Sequence, residues 1–205
     1  MPGKKASEEV RREQIVQAAF RVATREGLEQ LTMRQVAAEA RLSNGLVFFH
    51  FKSKEALLLA LFDWLLVSLF ETWHVPENLP PAERLLAWLQ FDLQDLSQDE
   101  QGRDRLRLFL SYWPLATHDP VIDERMKDAL ERSRQTLLPV VQAVIESEPR
   151  RFRQVTPEGL VSVVLAMTQG SAMQSLLSNH CVDAEQILSV IRALLLPSSP
   201  GEKGR

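Results

Sequence analysis

Three helix-start signals stand close together near the start of the chain, at Thr32, Ser43 and Ser53. Ser and Thr favour such positions because the side-chain oxygen accepts from backbone N–H groups that a first helical turn leaves unpaired. Thr32 is followed by Gln35, the T-x-x-Q pattern of a capping box. The spacing predicts two short helices in succession, the second over Asn44–His50, and then a long one from Lys54. Before them, Glu8–Glu26 repeats apolar residues at helical period (Ile15, Ala18, Ala19, Val22, Ala23) and stops at Gly27, a residue suited to the left-handed position past a helix end. Two short helices joined by a tight turn at Arg41-Leu42 and buttressed by a third form a helix-turn-helix.

The rest of the chain also reads as helix, so the expected fold class is all-α, about nine helices. Leu57, Leu61, Leu65 and Leu69 recur along the fourth helix, which is expected to reach about Trp73. His74 to Pro81 reads as a linker. Helix five is expected over about Ala82–Leu96, a polar break over Ser97–Arg103, and helix six to near His118. Asp119-Pro120 and Thr156-Pro157 are cap-plus-proline starts for helices seven and eight. Those helices are expected to end near Glu146, with a possible kink at Pro139, and near Asn179. Asp183–Gln186 starts helix nine, which ends at Leu196 before a frayed tail over Pro197–Arg205. We divide the chain into a helix-turn-helix domain, 1–55, and a helical effector-binding and dimerisation domain, 56–205.

Charge supports this division modestly. The net charge is −3, yet residues 1–55 hold ten Lys/Arg against seven Asp/Glu, and the remainder 14 against 20. A mildly basic end can face phosphates and an acidic remainder cannot. The single cysteine, Cys181, closes no intrachain disulfide, the first residues lack a signal-peptide core, and no uncharged apolar run is long enough to span a bilayer. A cytoplasmic protein without membrane contact is expected. No nucleophile elbow, phosphate-binding glycine loop or His/carboxylate cluster at ligand spacing is present, so no enzyme, metal or cofactor is expected; His180-Cys181 is too isolated for a metal site.

A recognition helix must expose small or polar residues near its start and bury a few apolar ones as anchors. Ser43, Asn44, Gly45 and His50 suit exposure, and Phe51 suits burial. The bland alternatives are a solvated Arg34, an Asn44 that merely starts a helix, and a His50 packed on the first helix. Phe48, Phe49 and Phe51 cannot all face one way; Phe51 belongs to the core, leaving Phe48 or Phe49 for DNA.

The run from Thr32 to Leu57 closely resembles the N-terminal signature of the tetracycline-repressor (TetR) family. The matching pieces are the Gly27 stop, the T-x-R start at Thr32, the V-A-x-x-A helix, Ser43-x-Gly45 and the tail His50-Phe51-Lys52-Ser53-Lys54. The remainder is similar in layout, and Leu108 to Pro120 with helix eight resembles members with a choline-repressor-like C-terminal domain. The resemblance implies that Arg34 reads a base edge or holds phosphate and that Thr32 touches the DNA backbone. Asn44, Leu46, Phe49 and His50 would line the groove-facing side of the recognition helix, and Lys54 would hold a phosphate. It also implies a homodimer that places its two recognition helices about 34–36 Å, or a multiple of that, apart on a pseudo-palindromic operator. Repression would be released by a small-molecule effector.

Two positions depart from the family pattern. Arg41 stands where the turn usually has Gly, so it must tolerate an unusual dihedral or a reshaped turn. Phe48 stands where Tyr is usual, which removes a phosphate-binding hydroxyl. For the effector, candidates are Trp88, Phe91, Phe109, Tyr112, Trp113, Met126, Met167, Gln169 and Met173, with ordinary helical core as the competing reading. Helices eight and nine suit a dimer interface, again with core burial as the rival. The alternative function is an all-helical ligand carrier or protein-interaction module that binds no operator.

Overall fold

The structure, a computed structural model, describes residues 7–70, 78–98, 100–177 and 184–195. Among these it contains nine helices and no strand: α1 (Glu8–Glu26), α2 (Met33–Glu39), α3 (Asn44–His50), α4 (Lys54–Phe70), α5 (Pro81–Gln98), α6 (Glu100–Ala116), α7 (Pro120–Ser147), α8 (Pro157–Leu177) and α9 (Ala184–Leu195). The all-α expectation holds. The chain divides into two compact units, one of residues 1–72 with 104–127, the other of residues 73–103 with 128–205.

In the first unit, α1 buries the expected stripe together with Val16 and Phe20. It packs on α2 and α4, and α2 packs on α3. Ion pairs from Arg21 (2.7 Å) and Arg25 (3.6 Å) to Glu39 tie α1 to the end of α2. The Arg21 hydrogen bond, reinforced by the charges of both arginines, holds the Glu39 carboxyl below its ordinary range. Thr32 closes the capping box with Gln35. Ser43 accepts from Leu46 N–H at 3.2 Å, and Ser53 from Ala56 N–H at 3.2 Å. All three caps are therefore formed.

The turn between α2 and α3 is a Schellman motif. Arg41 N–H donates to the Ala38 carbonyl (3.1 Å) and Leu42 N–H to the Ala37 carbonyl (2.9 Å). That closure requires a left-handed residue past the helix end, and Arg41 occupies it at φ 55°. Among the described residues it is the one non-glycine with positive φ.

Leu57, Leu61 and Leu65 of α4 are fully buried. α6 lies against the same helix: Tyr112 stacks on Phe62 with ring centres 4.6 Å apart, and its hydroxyl donates to the Leu58 carbonyl at 2.8 Å. Burial, with the Asp63 carboxylate adding to it, pushes the Tyr112 hydroxyl above its ordinary pKa, so it stays a donor. Arg125 of α7 pairs with Asp63 of α4. Asp119 caps α7 through Val121 N–H at 2.9 Å.

The second unit has its own core, in which Leu85, Leu89 and Leu93 of α5 meet Leu137, Val141 and Val144 of α7, Val161 and Val164 of α8, and Leu188 and Ile191 of α9. Thr156 caps α8 through Gly159 N–H at 3.1 Å. Arg151 donates to the Leu194 and Leu195 carbonyls, the negative end of α9.

Some boundaries differ from expectation. The polar stretch Ser97–Arg103 is largely helical, because Gln, Glu and Arg are good helix formers. α6 ends at Ala116, and Thr117 and His118 close a turn onto Pro114 and Leu115. Pro81 is the first residue of α5, the position where a missing N–H costs nothing, and α7 continues through Pro139. Trp73, residues 74–77 of the expected linker, Asn179, His180-Cys181, Asp183, Leu196 and the 197–205 tail lie outside the described residues.

Candidate nucleic-acid interface

Two short helices packed edge to edge leave an open cleft of about 480 Å³ on the first unit. It is lined by Glu29, Gln30, Leu31, Thr32, Met33, Arg34, Asn44, Phe48 and Lys54. Five of the expected DNA contacts thus converge: Thr32 and Arg34 from the start of α2, Asn44 and Phe48 from one face of α3, and Lys54 from the start of α4. Phe48 and Asn44 are one turn apart, so they share that face.

Two cations, Arg34 and Lys54, stand at this cleft with an amide at Asn44. The set suits duplex DNA, because Arg can bond a guanine bidentately, Asn an adenine, and Lys a phosphate. Lys54 Nζ donates to the Glu29 carbonyl at 2.6 Å. That bond ties the start of α4 to the α1–α2 loop while leaving two ammonium protons for an anion. The Thr32 hydroxyl is engaged in its own capping box, donating to Gln35 Oε1 at 2.6 Å.

The remaining expected contacts lie elsewhere on α3. Ser43 is engaged in capping, and Leu46 is half-buried. Gly45 and Phe49 are exposed on a different face from Asn44 and Phe48. His50 is half-buried, its ring edge-on to Phe49. Phe51 is 2% exposed and anchors the helix, as its place in the motif predicts.

Sequence reasoning overlooked Arg12. Its guanidinium lies 4.3 Å from the Phe51 ring centre and donates to the His50 carbonyl at 2.8 Å. A cation near the start of α1 looks unfavourable on its own helix; its use is at the negative end of α3, far away in sequence. Lys52, to which the motif alone assigns no role, lies over the Phe49 ring at 5.2 Å.

The effector candidates divide between the units. Phe109, Tyr112, Trp113 and Met126 belong to the first, and Trp88, Phe91, Met167, Gln169 and Met173 to the second. Phe109, Tyr112 and Met126 are buried, whereas Phe91, Trp113 and Met173 are exposed. Among the described residues, no group of three or more His, Cys, Asp or Glu is placed to hold a metal ion, and no helix is long and apolar enough to cross a membrane.

Residues 15–61 match the family described as bacterial regulatory proteins, tetR family, and residues 81–196 match the BetI-type transcriptional repressor C-terminal family. The chain is 29% identical over 150 residues to the HTH-type transcriptional regulator BetI of Stenotrophomonas maltophilia (strain R551-3), covering 68% of this chain and 75% of the relative. It is 24% identical over 186 residues to the regulator of the same name in Pectobacterium carotovorum subsp. carotovorum (strain PC1), covering 88% and 90%. The fold is similar to that of a TetR transcription regulator from Haloarcula marismortui, with TM-score 0.78, 22% identity, and 91% and 97% of the two chains covered. It is also similar to a regulator from Saccharomonospora viridis solved in complex with choline, with TM-score 0.71, 22% identity, and 92% and 96% covered.

Proposed function

The chain belongs to the TetR family of bacterial regulatory proteins, with a BetI-type repressor C-terminal domain, and from that premise we propose that it represses transcription as a homodimer on a pseudo-palindromic operator. It is a ligand-responsive DNA-binding transcription regulator, not an enzyme. The observation that carries the operator reading is the convergence of Thr32, Arg34, Asn44, Phe48 and Lys54 on one open cleft. Residues 1–55 act as the reading domain and 56–205 as the effector and dimerisation domain, working in the cytoplasm, where operator DNA is met. In this reading Arg34, Asn44 and Lys54 make the principal contacts. Ser43, Gly45, Leu46, Phe48, Phe49 and His50 complete the groove-facing surface, and Thr32 touches the backbone.

The dimer forms through α8 and α9. Val190 and Leu194, one turn apart on α9, are 58% and 64% exposed, and Val163 and Met173 of α8 are exposed as well. Apolar side chains repeated on helices in this way suit a partner helix pair. Sedimentation of the V190E/L194E double variant as a monomer, against a wild-type dimer, tests this interface.

For the effector we propose two alternative sets of contacts, each within one unit: Phe109, Trp113 and Met126 in the first, or Trp88, Phe91, Met167, Gln169 and Met173 in the second. Tyr112, stacked on Phe62 and bonded to α4, is better placed to transmit a change than to bind. The neighbour solved with choline makes choline the first compound to test. Useful control needs a coupling of only about 1–3 kcal/mol between effector and operator. Selection of genomic fragments by the full-length protein, repeated with and without choline, tests the whole reading. Recovery of a palindromic site is expected, and failure to retain any fragment would overturn it in favour of a ligand carrier.

A further inference from the structure

The seven-residue α3 has three faces. Val47 and the adjoining Phe51 are buried. Asn44 and Phe48 look into the cleft. Gly45 and Phe49, one turn apart, make the third face. Phe49 is 63% exposed, and a Cβ added at Gly45 would meet nothing within 4 Å. The Phe49 ring is oriented rather than loose: the Lys52 ammonium lies over it at 5.2 Å and the His50 ring stands edge-on at 5.2 Å.

An oriented, exposed phenyl beside a bare helical turn has no hydrogen bond to offer a base. Its complement is an apolar group that projects from DNA, and among the edges of the major groove that group is the 5-methyl of thymine. The face adjoins the cleft that carries Arg34 and Lys54, so DNA seated there passes in front of it. Resting on the operator reading above, we propose that Phe49 is a specificity-determining residue that reads a thymine methyl, and that Gly45 lets the helix approach closely enough for ring and methyl to touch. Contact removes both apolar surfaces from water. In this arrangement Phe48 lines the cleft and Phe49 selects sequence.

The test uses the full-length protein and operator fragments recovered by selection. Each thymine is replaced in turn by deoxyuridine, which deletes the methyl and keeps every hydrogen-bonding group. Wild-type affinity, read by fluorescence anisotropy, is expected to fall roughly threefold to fivefold at one position in each half-site. Phe49→Ala is expected to bind the thymine and deoxyuridine fragments equally, and Phe49→Leu to keep part of the discrimination. Far-UV circular dichroism confirms that both variants are folded. The proposal is overturned if no deoxyuridine weakens wild-type binding, or if Phe49→Ala discriminates as wild type does. A protein indifferent to deoxyuridine that gains affinity for 5-methylcytosine over cytosine overturns the assignment to thymine. If Arg34→Ala and Lys54→Ala weaken binding while deoxyuridine has no effect, the operator reading stands and the thymine reading alone fails. If neither cation matters, both fall.

Discussion

Arg12 and His50 lie 38 residues apart in the chain, yet the Arg12 guanidinium donates to the His50 carbonyl at 2.8 Å. The same guanidinium lies over the Phe51 ring. One side chain of α1 therefore holds the last turn of the recognition helix by a charge-assisted hydrogen bond and a cation–π contact.

Arg12 positions α3, so Arg12→Ala should weaken specific operator binding by about fivefold, the worth of roughly 1 kcal/mol from such contacts. The salt dependence should stay unchanged, because no phosphate contact is lost. Arg12→Lys, which keeps the charge and one donor, should recover part of the loss. Anisotropy titrations at several salt concentrations check both statements; a shallower salt slope would show Arg12 on phosphate instead.

Arg41 holds a left-handed conformation in the α2–α3 turn. Such a conformation costs a non-glycine residue about 1–2 kcal/mol, part of which glycine loses again to its greater freedom when unfolded. Arg41→Gly should therefore raise stability by up to about 1 kcal/mol in urea unfolding, whereas Arg41→Val should lower it. No gain on Arg41→Gly would mean that the Arg41 side chain holds the turn by other means.

Glu39 is kept ionised by Arg21 and Arg25, and its carboxyl titrates below the ordinary 4.5. A carboxyl with a lowered folded-state pKa stabilises the fold above the unfolded pKa and loses that contribution as pH falls through the folded value. The melting temperature of the wild type should thus fall more steeply below pH 4.5 than that of Glu39→Gln, and the two curves should converge in acid. Parallel curves would show that the pair contributes nothing to stability.

Tyr112 is fully buried and bonded to the Leu58 carbonyl of α4. Tyr112→Phe should cost about 1 kcal/mol and Tyr112→Ala about 3–5 kcal/mol, through the cavity it opens under Phe62. Urea unfolding distinguishes the two. A Phe variant as unstable as the Ala variant would assign the whole effect to the hydroxyl.

The elements that could be read in advance are those determined by near neighbours. Thr32, Ser43 and Ser53 each bond within three residues, so the caps and the order of α2, α3 and α4 were legible, as was the burial of Phe51. The odd dihedral at Arg41 was foreseeable from the missing glycine. Arg12 on His50 and Tyr112 on Leu58 were not legible, because those contacts join residues far apart in sequence and no local pattern encodes them. For the same reason the effector candidates were gathered by residue type, although they belong to two separately packed units. Composition marks the polar stretch at 97–103 as a break, yet helix propensity is adequate there, and 97–98 and 100–103 are helical.

The cleft formed by α2, α3 and the start of α4 is proposed to hold operator DNA through Arg34 and Lys54. The most direct measurement is the dependence of operator affinity on salt for wild type, Arg34→Ala and Lys54→Ala. Lys54→Ala is expected to weaken binding and to reduce the slope of log K against log salt by about 1.8, the signature of one lost phosphate contact in each protomer of the dimer. Arg34→Ala is expected to reduce the slope similarly if it holds phosphate, or to lose discrimination between bases at constant slope if it reads a guanine. Folded variants that bind the operator as wild type does, with the same salt slope and the same specificity, would contradict the account.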